Sequence, residues 1–558
     1  MFADKYHQGA DTEIALQRER IDDVRDVWSA IVPMASGRLR YMLRLHGADG
    51  TTYWLSELGL GPTRPSRLHH AGHFFYPHEL PVDRLELPSW LPGTTLYLVF
   101  PDRFFNGDPT NDPPGALPWG RTPTPRSFFG GDLAGIRQKL SWIEDLGAGG
   151  LYLTPVFRAP TNHKYDPADY HSVDPAFGTN ADLAALVRDA HAKQIRVLLD
   201  AVFNHSGDEW FAFADVREQG ADSPYRDWFY RIDGFPIDRV KVNYATFADR
   251  LRNHPKLNTA NPELAEYLLE VSERWIREAD IDGWRLDVAN EVDHRFWRAF
   301  RDRVKGAKSD AFIVGEVWHD AAQWLEGDQF DSVMHYLWRD ATLALLQGEL
   351  GPVAYAGATG RLRHLYQIAT TPGLVTLLGS HDTARVRTEL GGSAARSAQA
   401  ATLLLTGEGV PLVYYGDEIG MEGGEDPGSR ACMEWDPARQ DAGLHELHRR
   451  LIHLRRASPW LAWGLREDIA ADDARGVYAY RRAAQGPLGV LYGESDASLV
   501  VALNTGRTPT SVSLPSPRGA RQLLDVGSGR RVTPRNERVL VDLPAAGHAV
   551  LVPVEEPA

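Results

Sequence analysis

Short apolar runs recur along the middle of the chain, and each is followed by a segment whose apolar residues repeat with a helical period. Eight such runs occur, at residues 96–100, 151–156, 195–202, 284–289, 313–317, 332–336, 374–379 and 412–415. Apolar residues are nearly continuous within each run, which is typical of parallel strands that are buried on both faces. Eight strand–helix repeats predict an α/β fold, specifically a (β/α)8 TIM barrel.

The segments of helical period that follow the strands include residues 132–146, 182–193, 262–278 and 294–304. Asn180 and Asn261 are predicted N-caps, with Pro262 at a first helical position. The third connection is much longer than the others, since residues 203–261 separate its strand from its helix. Long inserts on barrel loops are usually functional, so this aromatic-rich segment is predicted to be an inserted domain B.

The two ends of the chain are predicted to form β-strands that are not part of the barrel repeats. Leu39, Tyr41, Leu43 and Leu45 alternate with polar or longer residues before an Asp49-Gly50 turn, which predicts a hairpin. Short strands separated by Gly, Pro and Asn resume at about residue 465. We therefore predict a reduced β-sandwich-like domain over 1–90, the barrel over 91–464 with its insert, and an antiparallel β-sandwich over 465–558.

The net charge and the cysteine content limit which binding partners and which cellular compartment are expected. The chain has 558 residues and a formal charge of -15, which argues against nucleic acid or an anionic membrane as partners. The single cysteine, Cys432, excludes internal disulfides and fits a reducing compartment. No apolar leader follows Met1 and no long uncharged apolar window occurs, so a cytoplasmic protein is expected.

Polar residues cluster at the C-terminal ends of the predicted strands, where barrel enzymes place their active sites. They are Asp200 and His205 after the third strand, Arg285 and Asp287 on the fourth, Glu316 and Trp318 after the fifth, and His381 and Asp382 after the seventh. An Arg285–Asp287 pair alone could simply brace the barrel. Three carboxylates at one mouth instead suit the acid, base and nucleophile roles of glycoside hydrolysis.

The strand-end motifs resemble those of the α-amylase superfamily (glycoside hydrolase family 13). The matching segments are DAVFNH at 200–205, GWRLD at 283–287, GEVW at 315–318, LLGSHD at 377–382 and GDEIG at 416–420. Segments similar to the cyclomaltodextrinase, neopullulanase and maltogenic amylase group are HKYDPADY at 163–170, HPKLN at 254–258, VANEV at 288–292 and DPGSRACMEW at 426–435. The resemblance covers roughly residues 94–555, and the family usually has Met where this chain has His254.

The resemblance assigns the catalytic roles. It implies that Asp287 is the nucleophile, Glu316 the general acid and base, and Asp382 the carboxylate that holds the sugar hydroxyls. Arg285 is expected to keep Asp287 ionised, while neighbouring negative charge is expected to keep Glu316 protonated near neutral pH.

The resemblance also implies a set of sugar-binding residues. Tyr165 is expected to be a stacking platform, and His205 and His381 to donate hydrogen bonds to the reacting sugar. The other expected substrate-binding residues are His163, Asp200 and Arg285 near the reacting sugar and Glu291, Trp318, Asp426 and Arg430 at flanking subsites. Each of the last four could equally be a rim or structural residue.

A run of oxygen donors suggests a cation site. It comprises Asn106, Asp108, Asn111, Asp112, Gly130 and Asp132. Hard donors of this kind suit Ca²⁺, although the spacing is not an EF-hand and Asn-Gly and Asp-Pro are also ordinary turn sequences. Similar runs bind Ca²⁺ in the resembling group, which implies a structural calcium ion.

Other cofactor motifs are absent or misleading. No P-loop or dinucleotide-binding motif follows a strand, so no organic cofactor is expected. His445 and His448 lack the HExxH spacing, and the helix that carries them is predicted to have a solvated basic face formed by Arg449, Arg450, Arg455 and Arg456.

The resemblance implies a retaining α-glucan hydrolase that cleaves α-1,4 bonds of cyclodextrins and short maltooligosaccharides, with pullulan as a further substrate and some transglycosylation. An α-glucosidase or glucan transferase on the same barrel is the alternative, and a sugar-binding protein without catalysis is a third class. The resemblance also allows a homodimer.

Overall fold

The computed structural model describes residues 12–20, 26–33, 39–65, 72–76, 84–248, 251–486, 488–493 and 495–554. Contacts divide the chain into two compact units, Met1–Leu85 and Glu86–Ala558.

The described part of the first unit consists of short antiparallel strands. They are β1 (Gln17–Arg20), β2 (Asp26–Ser29), β3 (Leu39–Tyr41), β4 (Leu43–His46), β5 (Thr52–Ser56), β6 (Gly59–Gly61) and β7 (Phe74–Tyr76). β1 pairs with β2, β3 with β7, and β4, β5 and β6 form a three-stranded sheet. β4 and β5 form the predicted hairpin, whose turn is closed by the Thr51 N–H donating to Asp49 Oδ1 at 2.9 Å.

The second unit begins with the barrel. Its strands up to residue 414 are β8 (Leu96–Val99), β9 (Gly150–Leu153), β10 (Phe157–Arg158), β11 (Asp169–Val173), β12 (Arg196–Ala201), β13 (Gly283–Leu286), β14 (Phe312–Gly315), β15 (Ser332–Val333), β16 (Val375–Leu377) and β17 (Val410–Tyr414). Eight of them form one sheet in the order β15-β14-β13-β12-β9-β8-β17-β16. A parallel bridge between Met334 and Val375 joins its two ends. The predicted (β/α)8 barrel is confirmed.

Helices cover the outside of the barrel and extend into its loops. They are α1 (Pro101–Phe104), α2 (Leu133–Gln138), α3 (Leu140–Leu146), α4 (Asn180–Ala192), α5 (Phe211–Gln219), α6 (Pro262–Ala279), α7 (His294–Ala307), α8 (Tyr336–Gln347), α9 (Pro352–Arg363), α10 (Val386–Glu389), α11 (Ala394–Thr406) and α12 (Ala442–Ala457). Asn261 caps α6 as predicted. The predicted cap of α4 is wrong, because Thr179 forms a capping box with Asp182 while Asn180 Oδ1 accepts from the Val173 N–H.

The insert after β12 buries most of its aromatic residues. Trp210, Phe213, Trp228 and Phe229 are buried, whereas Phe211 and Tyr230 are exposed. These buried side chains belong to the same apolar core as the barrel, and Trp210 contacts Tyr170 and Tyr267.

The C-terminal region is antiparallel, as predicted. Its strands are β18 (Leu465–Asp472), β19 (Val477–Ala483), β20 (Ser498–Asn504), β21 (Thr510–Pro515), β22 (Leu523–Asp525), β23 (Arg531–Val532), β24 (Arg538–Leu543) and β25 (His548–Pro553), with a short helix α13 (Gly489–Tyr492). A six-stranded sheet and the β21–β24 pair enclose a separate apolar core that includes Val500, Val512 and Val541.

The predicted solvated face of α12 is wrong in part. Arg455 is fully buried and donates to the carbonyl of Gly407 at 2.9 Å, and His448 is also buried. Among the described residues, no helix combines the length and apolar character needed to cross a bilayer.

Candidate active site

Three carboxylates from neighbouring strands meet at one guanidinium. Arg285 lies on β13 with only 1% of its surface exposed, and its backbone pairs in register with Asp200 on β12. Its Nη1 donates to Asp287 Oδ1 and to Asp200 Oδ1, each at 2.9 Å, and its Nη2 lies 2.9 Å from Glu316 Oε2. The structure thus brings Asp287 and Glu316 together, as the strand-end pattern predicts.

One cation among several carboxylates leaves the site with excess negative charge. Burial raises the pKa of Asp287 well above its usual range; Arg285 opposes this rise, and Glu316, Asp200 and Asp382 add to it. Burial likewise raises the pKa of Asp200 to about 6. Arg285 was expected to keep Asp287 ionised, but its effect on the pKa of Asp287 is smaller than the combined effect of burial and the other carboxylates.

The backbone at Val288, next to Asp287, is strained and donates a hydrogen bond to Glu316. Val288 has a φ of +45°, which is a rare conformation for a β-branched residue. Its N–H donates to Glu316 Oε2 at 3.0 Å, and Trp318 Nε1 donates to Glu316 Oε1 at 3.1 Å. Such strain costs about 1–3 kcal/mol and persists where the surroundings impose it. Both oxygens of Glu316 are consequently fixed in place.

Asp382 is the most open of the three predicted catalytic carboxylates, with 31% of its side chain exposed. Arg430 holds it, since Nη2 donates to Asp382 Oδ1 at 3.2 Å and Nε donates to the His381 carbonyl at 2.9 Å. Arg430 Nη1 also lies 3.3 Å from Asp426 Oδ1. The guanidinium of Arg430 therefore contacts Asp382, the His381 carbonyl and Asp426 rather than standing free at a flanking subsite.

Tyr165 links the carboxylates to the histidines. Its Oη donates to Asp200 Oδ2 at 2.8 Å and lies 2.6 Å from His381 Nε2, and its ring stacks on His381 with centroids 5.3 Å apart. The Tyr165 carbonyl accepts from His205 Nε2 at 2.9 Å. Burial lowers the pKa of both His205 and His381 well below the usual range, so both rings are neutral at neutral pH.

The predicted sugar-binding residues therefore separate into a buried floor and an exposed rim. Asp200, His205, Arg285 and His381 are buried and bind other protein groups. Trp318 is 45% exposed and stacks on Tyr336 with centroids 3.8 Å apart. The half-exposed carboxylates of Glu291 and Asp426 belong to the rim, and His163 is half-buried beside Tyr165.

Two supporting residues were missed in the sequence. Tyr152 on β9 donates its hydroxyl to Asp200 Oδ2 at 2.6 Å, and nothing in its apolar run signals that reach. Lys256 donates to the Glu291 carbonyl at 2.7 Å and to Asn204 Oδ1. Its place in the HPKLN segment was the available signal, because a lysine amid a loop resembling sugar-contacting segments needs an anionic or carbonyl partner.

The predicted calcium residues also lie together. Asn106 Nδ2 donates to Asp112 Oδ1 at 2.8 Å and Asn111 Nδ2 donates to Asp132 Oδ2 at 3.0 Å. Within the described residues, the Oδ1 atoms of both asparagines are buried without a hydrogen-bond partner. A Cβ on Gly130 would come within 2.1 Å of Asp112 Oδ1, so this cradle is close-packed.

The donor set at these residues is of mixed type. The side chain of Asp108 accepts from the Thr110 N–H, and that of Asp132 caps α2 by accepting from the Gly135 N–H. In the described part of the chain, no group of three or more His, Cys, Asp or Glu residues has the arrangement of a metal site. The two unpartnered amide oxygens nevertheless suit a hard cation, which takes carbonyl as well as carboxylate ligands.

The fold and this site define a member of the alpha-amylase family of glycoside hydrolases. That family, described as alpha amylase, catalytic domain, matches residues 98–459, and the chain belongs to it. The chain is 43% identical over 562 residues to a cyclomaltodextrinase of Geobacillus thermopakistaniensis (strain MAS1), covering 100% of this chain and 93% of that protein. It is 42% identical over 516 residues to neopullulanase 2 of Thermoactinomyces vulgaris, covering 92% of this chain and 86% of that protein.

A solved structure extends the similarity to three dimensions. A structure named cyclomaltodextrinase matches with a TM-score of 0.91 at 38% identity, covering 98% of this chain and 93% of that chain. The predicted resemblance to the cyclomaltodextrinase and neopullulanase group is confirmed, as is the prediction of a glycoside hydrolase.

Proposed function

We propose that this enzyme is a retaining α-glucan hydrolase that cleaves α-1,4 bonds of cyclodextrins and short maltooligosaccharides, and also acts on pullulan with some transglycosylation. The observation that carries the proposal is the meeting of Asp287 and Glu316 at Arg285, beside Tyr165, at the mouth of a family barrel. The names of the two relatives and of the solved structure support this substrate class.

Two displacements at the anomeric carbon would use these carboxylates in turn. In the first, an Asp287 oxygen bonds to C1 while the C1–oxygen bond to the leaving sugar breaks and the Glu316 proton passes to that oxygen. In the second, water attacks C1 and gives its proton to Glu316, which releases Asp287. Two inversions retain the α configuration.

The first step requires the proton on Glu316 and a charged Asp287. In the free site burial and the neighbouring carboxylates raise the pKa of Asp287, which favours its protonated form. Arg285 contacts both carboxyl groups, so a change of charge at either one alters the electrostatic environment of the other. Binding of the sugar must therefore favour the arrangement in which Glu316 is the acid.

Tyr165 would be the surface on which the reacting sugar packs, since a pyranose presents an apolar C–H face. Asp382, the open carboxylate, would accept hydrogen bonds from the sugar hydroxyls. Asp200 and His205 would act through Tyr165 and Arg285, because their polar atoms are bound to those residues.

We also infer a structural Ca²⁺ held by Asn106, Asp108, Asn111, Asp112, Gly130 and Asp132. The unpartnered oxygens of Asn106 and Asn111 support it. The ion would stabilise the loop before α2 and would take no part in the chemistry.

Location and assembly complete the proposal. A cytoplasmic location is supported by the single, buried Cys432, since the chain needs no disulfide. A homodimer is supported by the first unit, where Trp28, Leu58, Leu60 and Phe75 are each more than half exposed. Sedimentation at several concentrations tests it, and a monomer throughout would contradict it.

The decisive experiment compares initial rates on β-cyclodextrin, pullulan and soluble starch for the wild type, Asp287→Asn and Glu316→Gln. Both variants should lose at least about 10²- to 10⁴-fold in turnover while still binding ligand. The matched control is Glu326→Gln, which neutralises an exposed glutamate and should change nothing.

Three results would contradict the proposal. A faster rate on starch than on β-cyclodextrin would favour an ordinary α-amylase. Near-normal turnover of Glu316→Gln on an unactivated maltooligosaccharide would remove its assigned role. A wild type that binds these sugars without cleaving them would be a binding protein.

A further inference from the structure

Tyr165 and His163 are carried by one loop, residues 159–168, between β10 and β11. The base of the loop is closed by the Ala168 N–H donating to the Arg158 carbonyl at 2.8 Å. Between the two side chains stands Lys164, whose φ is +60°. Lysine rarely adopts this left-handed conformation, so the surroundings must impose it.

The side chain of Lys164 turns away from the sugar-binding face and into the protein. Only 2% of the residue is exposed. Its Nζ donates to the Ala159 carbonyl at 2.9 Å and lies 2.7 Å from Asp174 Oδ2. The rings of Phe128 and Phe177 lie within 5.4 Å and 5.1 Å of Nζ. A lysine is almost never this buried unless its charge is paired, so the ammonium is a fixed anchor.

Asp174 completes a closed set of bonds across the loop. The same Oδ2 that contacts Lys164 accepts from the Ala159 N–H at 3.0 Å, so both backbone groups of Ala159 are engaged. Asp174 is itself fixed, because its Oδ1 accepts from the Ala176 N–H at 2.9 Å. Lys164, in the middle of the loop, is thereby bonded to Ala159 at the start of the loop and to Asp174 beyond its end.

The anchored backbone determines where the neighbouring side chains lie. The Tyr165 N–H donates to His163 Nδ1 at 3.1 Å across Lys164. Tyr165 then reaches Asp200 and His381 with its hydroxyl. A simple internal brace would not need a strained residue placed between these two side chains.

We propose that Lys164 is a positioning residue for the sugar platform formed by Tyr165 and His163. Its ammonium, held by Ala159 and Asp174, fixes the left-handed turn that sets the height and tilt of the Tyr165 ring. The proposal rests on the proposed function, in which Tyr165 packs against the reacting sugar.

The test uses the full-length enzyme with Lys164→Met, which keeps the apolar stem and removes the ammonium. Small displacements of positioned groups can cost about 100-fold in rate, so kcat/KM on β-cyclodextrin should fall about 10- to 100-fold, with most of the loss in kcat. The control is Lys193→Met, which removes a surface lysine paired with Glu144 and should change kcat/KM less than about twofold.

A double-mutant cycle with Tyr165→Ala separates positioning from general loss of structure. If Lys164 acts through Tyr165, adding Lys164→Met to Tyr165→Ala should lower kcat/KM by less than about threefold further. Independent, multiplying losses would overturn the proposal, as would an unchanged kcat/KM for folded Lys164→Met.

A second variant covers the case in which Lys164→Met does not fold. Asp174→Asn keeps the shape of the anchor and weakens its hold on the ammonium, so it should show the same kcat loss and the same coupling to Tyr165. A folded Asp174→Asn enzyme with full kcat/KM would overturn the proposal. Failure of the proposed function is distinct, since the wild type itself would then not hydrolyse the glucans.

Discussion

Glu418 offers a prediction in which removing a charge stabilises the enzyme. It lies just after β17 and is completely buried. Its Oε1 accepts from Tyr97 Oη at 2.7 Å and from Trp142 Nε1 at 3.2 Å, whereas Oε2 is buried with no partner among the described residues. Burial raises the pKa of Glu418 from 4.5 to about 7, against the opposing effect of the Tyr97 and Trp142 hydrogen bonds.

The sign of the effect follows from this shift. A carboxyl group whose pKa is higher in the folded than in the unfolded state costs nothing below its unfolded value, and costs stability increasingly as the pH rises through its folded value. Because the pKa of Glu418 rises from 4.5 to about 7, this group lowers the unfolding free energy by about 3.4 kcal/mol above pH 7. Between pH 5 and pH 9 the wild type should lose about 2.5 kcal/mol of unfolding free energy through this group.

Glu418→Gln removes the titration and keeps the acceptor for Tyr97 and Trp142. Any misfit of the amide is independent of pH and cancels when the two pH values are compared. Relative to the wild type, the variant should therefore gain about 2.5 kcal/mol of unfolding free energy on going from pH 5 to pH 9, or roughly 2–3 °C in Tm for a unit of this size.

The assay is urea or thermal unfolding of both proteins at half-unit pH steps. Glu326→Gln, at an exposed position, is the matched control and should track the wild type at every pH. If Glu418→Gln and the wild type differed by the same unfolding free energy at every pH in this range, the raised pKa of buried Glu418 would not limit alkaline stability.

Two further predictions concern stability elsewhere in the barrel. Asp282 is buried, and hydrogen bonds from His191, Lys308 and the Val197 N–H overcome the opposing effect of burial and lower its pKa to about 2. Asp282→Asn should therefore cost about 2–3 kcal/mol at pH 7 in denaturant unfolding, with the loss fading as the pH falls from about 4 toward 2; an unchanged midpoint at pH 7 would contradict this. Removal of Ca²⁺ by a chelator should lower Tm reversibly, by the equivalent of about 2.7 kcal/mol if the ion was present at 100 times its Kd; unchanged melting with no response to added Ca²⁺ would remove the site.

The strand pattern was sufficient to predict the barrel, because near-continuous apolar runs and strand-end polar residues are local features. It also brought Asp287 and Glu316 to one mouth, since parallel strands end at the same edge. The sequence could not show which of the strand-end residues are bound to side chains from other elements. Asp200 and His205 stand at strand ends like Asp287, but each binds a tyrosine from another element: Tyr152 donates to Asp200, and the Tyr165 carbonyl accepts from His205.

The errors have the same physical origin. Arg455 was predicted to belong to a basic surface, but it donates to the carbonyls of Leu405, in the last turn of α11, and of Gly407, just after it. Arg285 was expected to keep Asp287 ionised, but burial, which depends on packing by the whole barrel, raises the pKa of Asp287 more than Arg285 lowers it. Asn180 and Thr179 are both good capping residues, and only the bond from the Val173 N–H to Asn180 decides between them.

The central claim is that Asp287 and Glu316 carry out two displacements at one anomeric carbon. The most direct measurement is the configuration of the first sugar released from a maltooligosaccharide, followed by proton NMR before mutarotation. Two displacements should release the α-anomer first, and the β-anomer should appear only later. Initial release of the β-anomer would contradict the retaining mechanism and the roles assigned to both residues.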